Sequence, residues 1–106
     1  MEKPSEQYTV TVSRCAAQML VSHAAFLARV SPDAAERLIA AFEEAAKSLE
    51  KMPFRCPWFI SDHIPANKYR YLTFEKRYLM IYQVRDNTVY VDYVLDCRQD
   101  YTWLLR

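Results

Sequence analysis

The chain has 106 residues, of which 52% are apolar and 25% are charged, a composition typical of one small globular domain and not of a disordered segment. It contains no glycine, which excludes glycine-rich phosphate loops, dinucleotide-binding fingerprints and the nucleophile elbow of hydrolases. The net charge of +1 is divided unequally, because residues 1–50 carry −2 and residues 51–106 carry +3. We therefore expect a single domain, residues 1–106, whose mildly basic half permits but does not require an acidic partner.

The first half of the chain predicts one strand followed by two helices. Residues 8–12 alternate between apolar and polar side chains, as a half-buried strand does. Ser13 is a suitable N-cap for a first helix, and Ser31 followed by Pro32 marks the start of a second helix that runs to about Lys51. Because the connection is so short, the two helices are expected to form an antiparallel hairpin whose apolar faces need a sheet to cover.

Residues 52–67 predict an irregular connector, because three prolines prevent a regular element there. The segment is rich in large apolar side chains, namely Phe54, Trp58, Phe59 and Ile60. Such a connector either folds against the sheet or is offered to a partner. It contains His63, which could act as a general base only if it faced a cleft. His23, on the apolar face of the first helix, is better explained as a packed and hydrogen-bonded histidine.

The last third of the chain predicts three short strands, at about residues 68–74, 77–84 and 88–95. In the last strand, alternation places four residues on one face: Val89, Val91, Tyr93 and Leu95. Without glycine, the residues expected at positive φ are Asn67, Asp86 and Asn87. The predicted fold is α+β with the order β-α-α-β-β-β, a helix hairpin packed on a small, mainly antiparallel sheet.

The cysteines and the N-terminal segment indicate a compartment. The chain has three widely spaced cysteines, Cys15, Cys56 and Cys97. An odd number without zinc-ligand spacing is typical of reduced thiols in a cytosolic protein. Residues 1–5 are polar, and no apolar run approaches the ~18–20 residues of a membrane span. We predict a cytoplasmic protein with no membrane association, no metal and no cofactor.

The predicted strands interleave basic residues with tyrosines. The basic residues are Lys68, Arg70, Lys76, Arg77 and Arg98. Arginine binds phosphate through two parallel hydrogen bonds and aromatic rings stack on unpaired bases, so one concave face carrying both would suit single-stranded RNA. The alternative is a solvated sheet face with cations at the hairpin turns and tyrosines at the rim of the core. The residues alone leave both interpretations open.

The order of the elements, with an arginine after the last strand, resembles the RelE/ParE superfamily of bacterial toxins. The resemblance covers residues 8–103 and rests on several short motifs. These are Lys68-Tyr69-Arg70, the Tyr-x-x-x-Tyr-x-Val pattern of residues 78–84, the Asp86-Asn87 turn before Val89, and Cys97-Arg98. The resemblance implies the toxin of a type II toxin–antitoxin system, blocked by a small, flexible and acidic antitoxin.

The superfamily has two branches, which act on different cellular targets. RelE-like members cut messenger RNA on the ribosome, whereas ParE-like members poison DNA gyrase. Three residues match catalytic positions of the nuclease branch, and the resemblance implies that they are catalytic. Arg70 matches a basic position of RelE-like nucleases, and Arg98 matches their last-strand arginine within one residue. Tyr101 matches a tyrosine near the chain end of YoeB-like members. Leu79, however, stands where those nucleases have an arginine that stabilises charge on the transferred phosphate. A ParE-like gyrase inhibitor is therefore favoured over a ribosome-dependent nuclease, and a non-toxic interaction module is the third possibility.

Two contact surfaces are expected. Contacts with the target or RNA are predicted at Lys68, Lys76, Arg77 and Trp103. An antitoxin segment that folds on binding needs an apolar groove and basic anchors, which the helix hairpin and the basic sheet end could provide. The side chains predicted in that interface are Phe54, Trp58 and Phe59 of the connector and Leu104 and Leu105 near the C-terminus.

Overall fold

A computed structural model describes residues 7–62 and 64–97 of the chain. The elements are β1 (Thr9–Val12), α1 (Arg14–Ala28), α2 (Pro32–Ser48), a 3-10 helix (Pro53–Arg55), β2 (Arg70–Phe74), β3 (Tyr78–Arg85) and β4 (Thr88–Asp96). The strands form one sheet in the order β1-β4-β3-β2, in which β1 runs parallel to β4 and the other pairs are antiparallel. The predicted α+β fold and its order of elements are confirmed.

Both helices begin at the serines that the sequence indicates. The Ser13 hydroxyl accepts a hydrogen bond from the Ala16 N–H at 3.0 Å, and the Ser31 hydroxyl accepts one from the Ala34 N–H at 3.2 Å. Each serine thereby satisfies one of the N–H groups that a helix start leaves without an intrahelical partner, which is worth about 1 kcal/mol. The two helices, separated only by residues 29–31, pack against each other as a hairpin.

The second helix ends at Ser48, earlier than the predicted Lys51, and the backbone changes direction before Pro53. The residue before a proline avoids the helical region, and Met52 takes a positive φ of 54° instead. Pro53 then starts a short 3-10 helix, so the prediction of no regular element in the connector is wrong at this point. A proline is compatible with the first position of a helix, where its missing N–H costs nothing.

The helices cover one face of the sheet, which we call the helix-side face, and the larger apolar core lies between them. Its fully buried side chains include Leu38, Leu49, Met80, Tyr82, Val89, Val91 and Val94. Burying one large apolar side chain contributes about 1.5–3 kcal/mol. His23 is packed at this interface, with Nε2 at 3.0 Å from the Val94 carbonyl and its ring 5.3 Å from that of Tyr78. This is the packed, hydrogen-bonded position that the sequence suggests.

A β-bulge in β4 changes which side chains face the helices. Asp92 has no partner on β3, because the register passes from Tyr93 directly to Val91 across neighbouring β3 residues. Val91 and Val94 therefore both lie in the helix-side core, while Tyr93 lies on the opposite face. The extra residue shifts the alternation by one position. The prediction of one shared face for Val89, Val91, Tyr93 and Leu95 is therefore wrong.

Positive φ angles occur at several turns of this glycine-free chain. Among the described residues they are found at Met52, Asn67, Glu75, Lys76 and Asp86. The expectation is correct for Asn67 and Asp86 and wrong for Asn87. The turn between β2 and β3 instead places two consecutive residues in the left-handed region, Glu75 at 48° and Lys76 at 70°. Neither side chain is short and polar like that of Asn or Asp, so each costs on the order of 1 kcal/mol there.

Candidate functional site

Arg70 begins β2 on the helix-side face and is held by the connector. Its guanidinium carbon lies 3.8 Å from the centroid of the Trp58 ring and 5.4 Å from that of Phe54. Its Nη1 also donates a hydrogen bond of 2.6 Å to the Cys56 carbonyl. A cation over an aromatic ring contributes about 0.5–2 kcal/mol, depending on how far the pair is desolvated. The charge of Arg70 therefore already has partners within the chain, and the side chain fastens the connector to the sheet.

The connector also pairs with the edge of β2 through its backbone. The Phe59 N–H donates to the Tyr69 carbonyl at 2.7 Å, and the Tyr71 N–H donates to the Pro57 carbonyl at 3.1 Å. Trp58, between these bonds, forms an isolated antiparallel bridge with β2. The connector thus covers part of a sheet edge that would otherwise present unpaired backbone groups.

Connector side chains reach both faces of β2. Trp58 and Phe54 accompany Arg70 on one face, and they are 37% and 39% exposed. Phe59 is buried on the other face, with its ring 6.2 Å from that of Tyr71. Of the two alternatives that the sequence left open, folding against the sheet describes Phe59. Phe54 and Trp58 keep surface that a partner could contact.

Tyr82 lies directly opposite Arg70 in the strand register and is fully buried. Its hydroxyl donates a hydrogen bond of 2.6 Å to the Pro53 carbonyl. Burial raises the pKa of this hydroxyl well above its ordinary value, and neighbouring Cys56 raises it further, while the charges of Arg70 and Arg55 oppose the shift. Tyr82 therefore stays protonated and joins the connector to the core as a permanent donor.

The opposite face of the sheet carries a polar network around the bulge residue Asp92. Its carboxylate Oδ2 accepts hydrogen bonds from the Tyr69 hydroxyl at 3.1 Å and from Gln83 Nε2 at 2.8 Å. The Ser13 hydroxyl donates to its backbone carbonyl at 3.2 Å. Burial, and after it the charge of Asp92, raises the pKa of Tyr69 above its ordinary value. Sequence reasoning missed this network, although a single carboxylate in an otherwise apolar strand was a usable signal.

The structure does not bring the predicted basic residues together. Arg70 lies at the first residue of β2, whereas Lys76 and Arg77 lie in the turn beyond its last residue. Lys68 is exposed, with its ammonium 5.2 Å from the ring of Tyr69. The remaining predicted residues lie outside the described part of the chain: His63, Arg98, Tyr101, Trp103, Leu104 and Leu105.

The first helix presents an apolar outer surface, which sequence reasoning also missed. Val21 and Phe26 are each 63% exposed, and Val30, just after the helix, is 85% exposed. The usable signal was that no charged residue occurs between Arg14 and Arg29. The outer face of α2 is different, because it carries Glu36, Arg37, Glu43, Glu44 and Lys47. Large exposed apolar side chains on one element are a feature of surfaces that bind a protein partner.

Neither a metal-ion site nor a membrane-spanning helix is found within residues 7–62 and 64–97. No group of three or more His, Cys, Asp or Glu side chains is placed to hold a metal ion. No helix in this part of the chain is long and apolar enough to cross a membrane.

Comparisons with known proteins agree with this architecture. A family model described as "ParE toxin of type II toxin-antitoxin system, parDE" matches residues 10–101. A solved chain titled "Chromosomal ParDE TA system from P. aeruginosa" superposes with a TM-score of 0.69 at 17% sequence identity, over 87% of this chain and 98% of that chain. No curated protein matches the chain. At this identity the structural likeness shows the fold, and the family model adds a match in sequence.

Proposed function

The chain belongs to the ParE toxin family of type II toxin–antitoxin systems, and we propose that it is a growth-inhibiting toxin that binds DNA gyrase. The family match over residues 10–101 is the observation that carries this proposal. The family also implies an antitoxin partner. An action on gyrase would place the protein in the cytoplasm, as the sequence predicts. It needs a binding surface and no catalytic group of its own.

The positions of Arg70 and Leu79 weigh against the nuclease alternative. Arg70 pairs with Tyr82 and so faces the helices, whereas Leu79 pairs with Thr73 and belongs to the cluster on the other face. Stabilising a transferred phosphate requires several donors that converge on one point. Even an arginine in place of Leu79 would extend from the face opposite to Arg70. The guanidinium of Arg70 is, in addition, already bonded to the connector.

The exposed apolar surface supports the proposed antitoxin contact. A disordered segment that folds on binding gains its affinity largely by burying an apolar face in a groove or on a surface. Val21 and Phe26 on α1 and the partly exposed rings of Phe54 and Trp58 offer such surface. Phe59 is already buried within the chain. We therefore place the antitoxin contact on α1 and on these two rings.

The proposal is tested by inducing the chain alone in a bacterial host and pulse-labelling DNA and protein synthesis. We expect DNA synthesis to fall first, with a DNA-damage response, and the purified protein to inhibit supercoiling by gyrase. An Arg98→Ala variant, checked for folding by circular dichroism, tests the nuclease alternative. If protein synthesis falls first and this variant relieves the effect, the protein is a ribosome-dependent nuclease. If neither synthesis changes, it is a non-toxic interaction module.

A further inference from the structure

A groove of about 380 Å³ lies between the helix hairpin and the β2–β3 turn, at the end of β2 away from Arg70. Its base is formed by Leu38 and Tyr78, which are buried, and by Leu27 and Ala34, which are half-buried. Its exposed rim is charged and comes from Arg37, Glu75, Lys76 and Arg77. Three cations against one carboxylate give this rim a charge of +2, in a chain whose net charge is +1.

The three rim cations, Arg37, Lys76 and Arg77, differ from three arginines elsewhere in the fold whose guanidinium groups contact other described residues. Arg70 is bonded to a carbonyl, Arg55 donates to the Ser48 carbonyl and hydroxyl, and Arg85 lies 5.2 Å from the ring of Tyr90. Among residues 7–62 and 64–97, the rim cations make no side-chain hydrogen bond, ion pair or ring contact. Their hydrogen-bonding capacity is left for solvent or for a ligand.

The turn that carries two of these cations is held in a strained conformation. Glu75 and Lys76 both have positive φ, although neither is a residue that favours it. The Arg77 N–H donates to the Glu75 carbonyl at 2.8 Å, and the Cys97 N–H donates to the Arg77 carbonyl at 2.8 Å, which fixes the turn from both sides. Hairpin turns with two consecutive positive φ angles are most easily made by Asn-Gly or Asp-Gly. Strain of this kind is concentrated at segments that bind ligands.

We propose that this groove is a docking site for an acidic segment of the antitoxin. A carboxylate would be bound by the guanidinium groups of Arg37 and Arg77, and an apolar side chain beside it would cover the half-buried Leu27 and Ala34. Guanidinium and carboxylate groups form charge-assisted, often paired hydrogen bonds. The inference rests on the proposed function only for the existence of an antitoxin.

The chemistry of the groove favours a peptide over a nucleic acid. Unpaired bases bind by stacking on exposed aromatic faces, but Tyr78, the one aromatic residue among the described residues that line the groove, is 3% exposed. An acidic side chain next to an apolar one matches both the charged rim and the apolar lining.

The test uses the full chain and a labelled, terminally blocked peptide of alternating Glu and Leu as the probe. We expect the peptide to bind in a salt-sensitive manner and to shift the amide signals of Lys76 and Arg77 in ¹H–¹⁵N spectra. Arg37→Gln and Arg77→Gln should each weaken binding about tenfold, as expected for the loss of a hydrogen bond to a charged group. Lys47→Gln is the matched control, because it removes the same charge near the other end of α2 and should leave binding unchanged.

Two comparisons decide the identity of the occupant. A Gln-Leu peptide and a single-stranded RNA hexamer are titrated beside the acidic peptide, and neither should bind comparably. The complex with the antitoxin encoded beside the toxin gene should no longer bind the acidic peptide. Preferential RNA binding, equal loss in the Lys47→Gln control, or a complex that still binds the peptide would each overturn the proposal. These readouts are binding measurements, so they are independent of whether the chain inhibits DNA synthesis.

Discussion

The two ends of β2 both carry basic side chains, but the chain uses them differently. At the first end, Arg70 is stacked on Trp58 and bonded to a backbone carbonyl of the connector. At the other end, Lys76 and Arg77 stand on the rim of a groove without partners among the described residues. A basic residue near a strand is therefore weak information about function. A structural cation already makes hydrogen bonds and ring contacts within the chain, whereas a cation without such contacts is available to a ligand.

The largest expected effect tests this distinction at Arg70. Arg70→Ala removes the contact with the Trp58 ring and the hydrogen bond to the Cys56 carbonyl, and should lower the free energy of unfolding by about 2–3 kcal/mol. Arg77→Ala at the other end should change it by less than about 0.5 kcal/mol, as is usual for exposed side chains. Urea unfolding followed by circular dichroism measures both.

The outcome for Arg70 has a clear alternative. If Arg70→Ala unfolds at the same urea concentration as the wild type, the contacts with the connector contribute nothing and the arginine is free for another role. Arg70→Lys sharpens the result, because lysine keeps the charge but cannot reproduce the planar stacking of a guanidinium on an indole ring. We expect this variant to recover less than half of the lost stability.

The comparison also shows how far the sequence could lead. Helix starts were predictable because Ser13 and Ser31 act locally, through hydrogen bonds to N–H groups three residues away. The partners of Arg70 were not, because Cys56 and Trp58 reach it only when the connector folds back on β2. The spacing of residues along a chain does not show which distant segments come into contact.

The bulge shows the same limit at the level of the sheet. Alternation predicted the faces of β4 correctly on one side of Asp92 and wrongly on the other, since a single extra residue inverts the pattern. The prediction of the site was less accurate than the prediction of the fold. The fold depends on apolar periodicity, whereas the site depends on which of the two sheet faces a side chain occupies. Leu79 and Arg70, which the family resemblance treats as one constellation, lie on opposite faces because of the regular alternation of the β2–β3 pair.

The next effect concerns Tyr82, the buried residue beneath Arg70. Tyr82→Phe leaves the Pro53 carbonyl without its donor in a buried position, so we expect a loss of about 1–2 kcal/mol in the free energy of unfolding. Tyr90→Phe is the control, since Tyr90 is half-exposed and its ring lies 5.2 Å from the guanidinium of the exposed Arg85. Equal urea midpoints for the two variants would contradict a structural role for the Tyr82 hydroxyl.

A related effect appears at alkaline pH. Burial holds the pKa of Tyr82 and of Tyr69 above the ordinary tyrosine value, so the folded state retains two protons that the unfolded chain releases from about pH 10. Stability from these groups is complete below that pH and is lost as pH rises above it, by up to about 1.4 kcal/mol per pH unit for each tyrosine. Urea unfolding between pH 9 and 11 measures the slope. Tyr82→Phe should make the slope shallower, and an unchanged slope would show that Tyr82 ionises normally.

The smallest effect returns to the other end of β2. Lys76→Gly relieves a strained φ of 70° but increases the freedom of the unfolded chain, so we expect the free energy of unfolding to rise by about 0–1 kcal/mol. Asp86→Gly is the matched control at the β3–β4 turn, where aspartate already tolerates its φ of 56° and the gain should be smaller. Thermal melts compare the two. If Lys76→Gly is as stable as the wild type or more so, and yet binds the acidic peptide more weakly, then lysine is present in the strained turn for binding and not for folding. A clear loss of stability would show instead that the strain at Lys76 is too small to offset the added freedom of the unfolded chain.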